Sequence, residues 1–268
     1  MNLVYNSDVI SEKDFSVEAT DRAFQYGDGL FETIRYERSQ LWFWSDHYDR
    51  LTKGMVALQL NVPASFSADR LHQSILELLS SNELIDQPAR IKIQVWRRPG
   101  GLYTPMHNDV NVLISARSGH SYAITSTSKV PIYNAFRLSS SPISSFKTVN
   151  ALPYVLAGLF KQQQNADDVI LLDTQGHLAE CIASNLFWVS DNTLCTPSLM
   201  TGCIDGIARR QLLRAFPNTQ EGLFLPDVLL SARIVFAANV MGIQVFQGEL
   251  DRTFRERIEQ IFVQDNSL

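Results

Sequence analysis

Two periodicities of apolar residues alternate along the chain. The run Leu30-Phe31-Glu32-Thr33-Ile34-Arg35-Tyr36 has the period of a strand, and Leu41-Trp42-Phe43-Trp44 follows a short polar turn, which predicts a hairpin. The period then lengthens to that of a helix carrying Leu51, Met55, Val56 and Leu58, with Ser45 or Asp46 as its cap. A second helix is predicted near 67–79, where Leu71, Ile75, Leu78 and Leu79 share one face. Strands are predicted at 90–96 and 110–116, joined through Pro99-Gly100-Gly101.

A small polar run, 115–121, separates this series from a second one. There a strand leads to a loop around Lys147, and a helix is predicted over 151–163. Apolar strands at 169–172 and 185–189 are separated by a turn at Thr174-Gln175-Gly176. An amphipathic helix over 207–216, short strands at 234–236 and 245–246, and a helical tail over 252–263 complete the pattern. Strands mixed with helices and no internal repeat predict an α+β architecture, with an N-terminal domain at 1–116, a linker at 117–121 and a C-terminal domain at 122–268.

Composition narrows the class. A length of 268 residues suits two lobes of roughly 100–150 residues each. Hydrophobic residues at 45% against 19% charged give a globular chain, not a disordered one. The net charge of −5 and the lack of a basic run argue against nucleic acid as a partner. The N-terminus does not read as a secretory signal, and no apolar stretch is long enough to span a bilayer. Cys181, Cys195 and Cys203 are odd in number and lack metal-type pairing, so free thiols in a reducing cytoplasm are expected. The five histidines show no ligand spacing, and no metal site is expected. Neither a dinucleotide fingerprint nor a nucleophile elbow is present.

Four places carry candidate chemistry. Lys147 precedes a helix; taken alone it reads as a solvated lysine. Glu180 is either a surface glutamate at a strand edge or, given Cys181, Ile182, Leu186 and Phe187 around it, a buried carboxylate with partners. Arg50 reads most simply as a helix-surface residue pairing with Asp46 one turn away. Gly206-Ile207-Ala208 opens a helix, where unpaired N–H groups and the dipole favour an anion, although a plain turn explains the same residues.

Together, four segments resemble the class IV aminotransferase family, the fold-type IV pyridoxal-phosphate enzymes. They are Asp21-Arg22-Ala23 through Gly27-Asp28-Gly29-Leu30-Phe31-Glu32; His47-Tyr48-Asp49-Arg50-Leu51; Lys147 with Asn150; and the stretch from Asn165-Ala166-Asp167-Asp168 through Glu180 and Asn185 to Gly206-Ile207-Ala208-Arg209. The resemblance covers nearly the whole chain in order. It implies a smaller N-terminal α/β sandwich and a larger C-terminal mixed-sheet or barrel-like domain. It also implies pyridoxal 5'-phosphate held as a Schiff base on Lys147, whose released amine then moves protons. By the same resemblance Glu180 faces the pyridine nitrogen, Arg50 holds the phosphate, and Asn185, Gly206, Ile207, Ala208 and Asn239 complete the cofactor site. The loop 21–29 is expected to be structural, with Gly27 and Gly29 allowing φ > 0 and close approach. Thr33, Arg97 (or Arg98) and Tyr103 are expected on the substrate side, and a homodimer with sites at its interface is implied.

The chain departs from many members by Ala208, where they have Thr, and by the absence of Gly-Asn-Tyr after the lysine. Both departures, with Asn239 in place of a small hydroxyl cluster, resemble the 4-amino-4-deoxychorismate lyase branch, which releases pyruvate and 4-aminobenzoate, a folate precursor. The alternatives are an aminotransferase acting on D-amino acids or branched-chain amino acids and, more remotely, a non-catalytic protein that binds the cofactor.

Overall fold

The computed structural model describes residues 1–64 and 66–264. It divides into two compact units, one of Met1–Ser121 with Phe146–Ala151, the other of Tyr122–Ser145 with the chain from Leu152 onward.

The first unit contains strands β1 (Asn2–Tyr5), β2 (Asp8–Ser11), β3 (Gly29–Glu37), β4 (Gln40–Leu41), β5 (Ala89–Arg97) and β6 (Val110–Ser118), and helices α1 (Arg22–Tyr26), α2 (Trp44–Ala57) and α3 (Ala68–Ser81). The strands form one sheet in the order β2-β1-β6-β5-β3-β4, antiparallel throughout. Leu30 and Ile34 lie opposite Val95 and Ile91, and this face packs on Leu51 and Met55 of α2 and on Leu71, Ile75, Leu78 and Leu79 of α3. Each such side chain contributes about 1.5–3 kcal/mol on burial. Alternation places Glu32 on this apolar face, so its carboxylate requires partners there.

Four expectations are corrected in this unit. The second hairpin strand is only Gln40–Leu41, because the buried Trp42 indole donates to the Glu37 carbonyl (3.2 Å) and lies under the Arg35 guanidinium, turning the chain away. Phe43, in left-handed backbone with φ 56°, is the cap of α2, and Ser45 and Asp46 lie inside the helix. Residues 117 and 118, expected as linker, continue β6 opposite Arg90 and Ala89. Finally, Phe146–Ala151 groups with this unit rather than with the residues that follow, because Phe31 N–H donates to the Lys147 carbonyl (2.8 Å) and Val149 N–H to that of Gly29 (2.9 Å).

The second unit contains β7 (Ala123–Ser126), β8 (Ile132–Leu138), α4 (Leu152–Gln163), β9 (Ile170–Asp173), β10 (Leu178–Cys181), β11 (Asn185–Ser190), β12 (Thr193–Pro197), α5 (Ile207–Ala215), β13 (Gln220–Gly222), β14 (Ile234–Asn239), β15 (Gly242–Gln247) and α6 (Arg252–Phe262). Its sheets run β10-β9-β8 and β13-β12-β11-β14-β15-β7. Both are mixed, since β8–β9, β12–β13 and β15–β7 pair in parallel. The turn at 174–176 leads from β9 into β10, a strand not expected from the sequence, which carries Glu180 and is bulged between Leu178 and Glu180. Among the described residues, no helix is long and apolar enough to cross a membrane.

Candidate active site

In the first unit the Lys147 segment runs antiparallel beside the start of β3, with Thr148 bridged to Leu30. Gly29 permits this crowding on its other side: a Cβ there would come 2.5 Å from the Val95 carbonyl oxygen. Lys147 Nζ lies 4.8 Å from the centre of the Phe31 ring. Lys92 Nζ lies 4.9 Å from the same ring, and Lys92 pairs in register with Thr33. Burial, with the nearby charge of Arg90, lowers the Lys92 pKa. The sequence offered no signal for Lys92, which sits in an ordinary polar alternation between Arg90 and Gln94.

Arg50 is buried, and its partner is Glu32: Nε–H donates to Oε1 at 2.7 Å and Nη2–H to Oε2 at 2.6 Å. His47 Nδ1 lies 2.7 Å from Glu32 Oε2. Burial opposes the charge on Glu32, but Arg50 and the His47 hydrogen bond outweigh it and hold the carboxyl down at about 2. Burial lowers the His47 pKa, while the hydrogen bond to Glu32 opposes that shift. Glu32 thus occupies the Nε–Nη2 edge of Arg50, a pairing the surface-helix reading missed.

The loop 21–29 is a scaffold. Asp21 Oδ1 caps α1 by accepting the Ala23 N–H (2.8 Å), its Oδ2 accepts the Trp96 indole N–H (2.8 Å), and Gly27 ends the helix at φ 64°. Asp28 accepts Arg22 Nε–H (2.7 Å) and Arg97 Nε–H (2.9 Å). Arg97 also donates to the Leu58 carbonyl (2.7 Å) and to Asn108, and only 6% of it is exposed. The expected role of Arg97 as a substrate clamp is therefore corrected: its fork is committed to holding β5 against Asp28 and the end of α2. Tyr103, by contrast, is exposed, on a loop held by Arg22 Nη1–H to the Leu102 carbonyl (2.5 Å).

In the second unit Glu180 is buried on β10 and surrounded by donors. The Tyr154 hydroxyl donates to Oε1 at 2.6 Å, Asn185 Nδ2 to Oε2 at 3.2 Å, and the Ile204 N–H to both oxygens at 3.2 Å. Asn185 also donates to the Ile204 carbonyl (2.8 Å), tying β11 to the turn before α5. Tyr154 and Ile204 escaped the sequence reading. The first lies one helical turn beyond the Lys147 loop, and the second contributes only its backbone.

Helix α5 begins at Gly206 with no side-chain cap. A Cβ at Gly206 would stand 1.9 Å from Asn185 Oδ1, so a side chain there would force Asn185 to move. Buried Arg209 fixes the helix by pairing with Glu221 and donating to the Pro197 carbonyl (3.2 Å), while Arg210 pairs with Asp205 at 2.9 Å. Asn239 does not fit the expected role of phosphate donor: Oδ1 accepts the N–H groups of Met241 (2.8 Å) and Gly242 (3.1 Å) and Nδ2 donates to the Ala183 carbonyl (3.2 Å). It closes the β14–β15 turn.

The family described as amino-transferase class IV matches residues 29–245. The aminodeoxychorismate lyase of Vibrio harveyi is 31% identical over 225 residues, 79% of this chain and 77% of that protein. The D-alanine aminotransferase of Bacillus licheniformis is 26% identical over 257 residues, 88% of this chain and 83% of that one. The crystal structure of the branched-chain aminotransferase of Thermoproteus uzoniensis with norvaline superposes with a TM-score of 0.87 at 20% identity, over 97% of this chain and 93% of that one, and shares the fold. The chain belongs to the class IV aminotransferase family. It is therefore an enzyme, of a family that works with pyridoxal 5'-phosphate.

The residues present fit that cofactor. Its functional groups are an aldehyde, a pyridine nitrogen and a phosphate. The chain offers an amine at Lys147, a buried and donor-lined carboxylate at Glu180, and a helix start at Gly206 with no side-chain cap.

Proposed function

We propose that this enzyme is a 4-amino-4-deoxychorismate lyase that releases pyruvate and 4-aminobenzoate. The observation that carries this reading is the pair of amines, Lys92 and Lys147, set against the one Phe31 ring. One amine serves the chemistry; the other is a cation suited to a further carboxylate on a substrate that has two. The likeness to the Vibrio harveyi lyase, Ala208 at the start of α5, and the missing Gly-Asn-Tyr after Lys147 support it.

When bound, pyridoxal phosphate supplies an aldehyde that links to amines and a ring that withdraws electrons from the carbon bearing the amine. In our reading Lys147 would hold the cofactor through its amine and, once free, would take the proton from the amine-bearing ring carbon of the substrate. Loss of the enolpyruvyl group makes the substrate ring aromatic, which favours elimination over amine transfer. The departing group gains a proton to become pyruvate, for which Lys147 would be the acid, with Thr33, opposite Lys92 in the sheet, a candidate hydroxyl to assist. Glu180 keeps the pyridine nitrogen protonated. Ile207 and Ala208 would offer backbone N–H groups to the phosphate, and Arg50 is the cation that the family resemblance assigns to it.

The reading includes a homodimer, supported by the exposed apolar stripe Leu152, Val155, Leu156 and Leu159 on α4. A monomer mass in sedimentation would refute it. For the activity, turnover of aminodeoxychorismate is compared with that of D-alanine or leucine plus a keto acid. The lyase reading expects turnover of the first with no keto acid; turnover of amino acids alone would sink it.

A further inference from the structure

Tyr154, Asn185 and Ile204 hold Glu180 with donors of unequal strength. The Asn185 and Ile204 contacts are at 3.2 Å, whereas the Tyr154 hydroxyl stands at 2.6 Å, a distance characteristic of a strong bond to an ionised acceptor. Tyr154 and Asn185 take different oxygens and so fix the plane of the carboxylate as well as its position. Tyr154 enters from the first turn of α4, and its ring packs against a cluster that includes Ala157, Leu171, Ala179 and Cys203.

We propose that Tyr154 is a positioning residue that keeps Glu180 ionised and correctly turned, and through it keeps the proton on the pyridine nitrogen of the cofactor. The proposal rests on the reading of Glu180 as the partner of that nitrogen. A carboxylate that accepts a strong hydrogen bond holds a proton less tightly, so the shared proton stays on the ring, where it strengthens electron withdrawal. The surroundings reinforce the one-way character of the contact. Burial and the Glu180 charge raise the Tyr154 pKa, so the phenol remains a donor throughout the working range. The Cys203 thiol, pushed up to about 12 by burial and by Glu180, also stays neutral and adds no competing anion.

Tyr154→Phe removes the hydroxyl and keeps the ring, which should raise the proton affinity of Glu180 about tenfold or more. The test loads the wild type, Tyr154→Phe, Tyr154→Gln and Glu180→Gln with nitrogen-15-labelled pyridoxal phosphate and reads the chemical shift of the ring nitrogen across pH. The wild type should give a protonated nitrogen and Glu180→Gln a neutral one. Tyr154→Phe should move the nitrogen signal toward the neutral value in the pH range where ring and Glu180 still share one proton, because Glu180 then draws more of it, and Tyr154→Gln, which restores a donor, should recover part of the difference. If Glu180→Gln leaves the nitrogen protonated, the reading of Glu180 fails. If Glu180→Gln moves the shift and Tyr154→Phe does not, the Tyr154 proposal alone is overturned. Should Tyr154→Phe bind no cofactor, the Glu180 carboxyl is titrated in the protein without it, by carbon-13 labelling. A raised pKa supports the proposal and an unchanged one overturns it.

Discussion

Arg50 lays the Nε–Nη2 edge of its guanidinium on both oxygens of Glu32, at 2.7 and 2.6 Å, with the two side chains 4% and 2% exposed. The pair ties α2 to β3. Burial of both charges makes each dependent on the other, since removing one partner leaves the second uncompensated. Glu32→Gln should destabilise the protein by about 3–5 kcal/mol in urea melts. It should also change the acid limb. The folded-state pKa of Glu32 is held at about 2, below its ordinary 4.5. Its contribution to stability is therefore fully present above pH 4.5 and lost as pH falls through that window toward 2. Wild type should lose stability faster than Glu32→Gln over this range; parallel curves would contradict the pairing.

Arg97→Met tests the assignment of Arg97 to the scaffold. The substitution removes the Arg97 donor from the Leu58 carbonyl and from Asn108 and deprives Asp28 of one of its two arginines. Stability should fall by about 2–4 kcal/mol, with KM changed less than threefold. A KM increase without loss of stability would restore the role of substrate clamp.

Gly206→Ala tests the start of α5. The backbone at φ −65° accepts alanine, so the penalty is steric, from a Cβ 1.9 Å from Asn185 Oδ1. Asn185 must move, and with it one donor to Glu180 and the tie to Ile204. Overpacking of about 1–3 kcal/mol predicts cofactor affinity weaker by roughly ten- to hundredfold, read by titration of the absorption band. Unchanged affinity would show that this junction has no part in binding.

What the sequence revealed follows the reach of its patterns. Helix α3 was legible because Leu71, Ile75, Leu78 and Leu79 repeat along one face and Ser67 supplies the cap. Strand β10 was not, because Leu178–Cys181 is four residues long, bulged and buried throughout, so no alternation marks it. Glu180 was picked out by its apolar neighbours, whereas its donors came from elsewhere: Tyr154 on α4, Asn185 on β11 and the backbone of Ile204. Pairing of Glu32 with Arg50 joins a strand to a helix across 18 residues, a distance no local rule covers. Arg97 and Asn239 misled for the opposite reason: their residue types suit anions, but the fold had already engaged them.

Lys92→Gln tests the cation beside Phe31. It removes charge while keeping a polar side chain of similar length on β5. Loss of one charge-assisted contact to a substrate carboxylate predicts a KM for aminodeoxychorismate higher by about ten- to hundredfold, with kcat changed only slightly. An unchanged KM would remove Lys92 from the substrate site.

The most direct measurement of the central claim is the stoichiometry of products with aminodeoxychorismate as sole substrate. Enzyme loaded with pyridoxal phosphate should make one pyruvate per 4-aminobenzoate through many turnovers without a keto acid, and Lys147→Ala should make neither. A reaction that stops after one equivalent per site and resumes only when a keto acid is added would contradict the account and assign the enzyme to amine transfer.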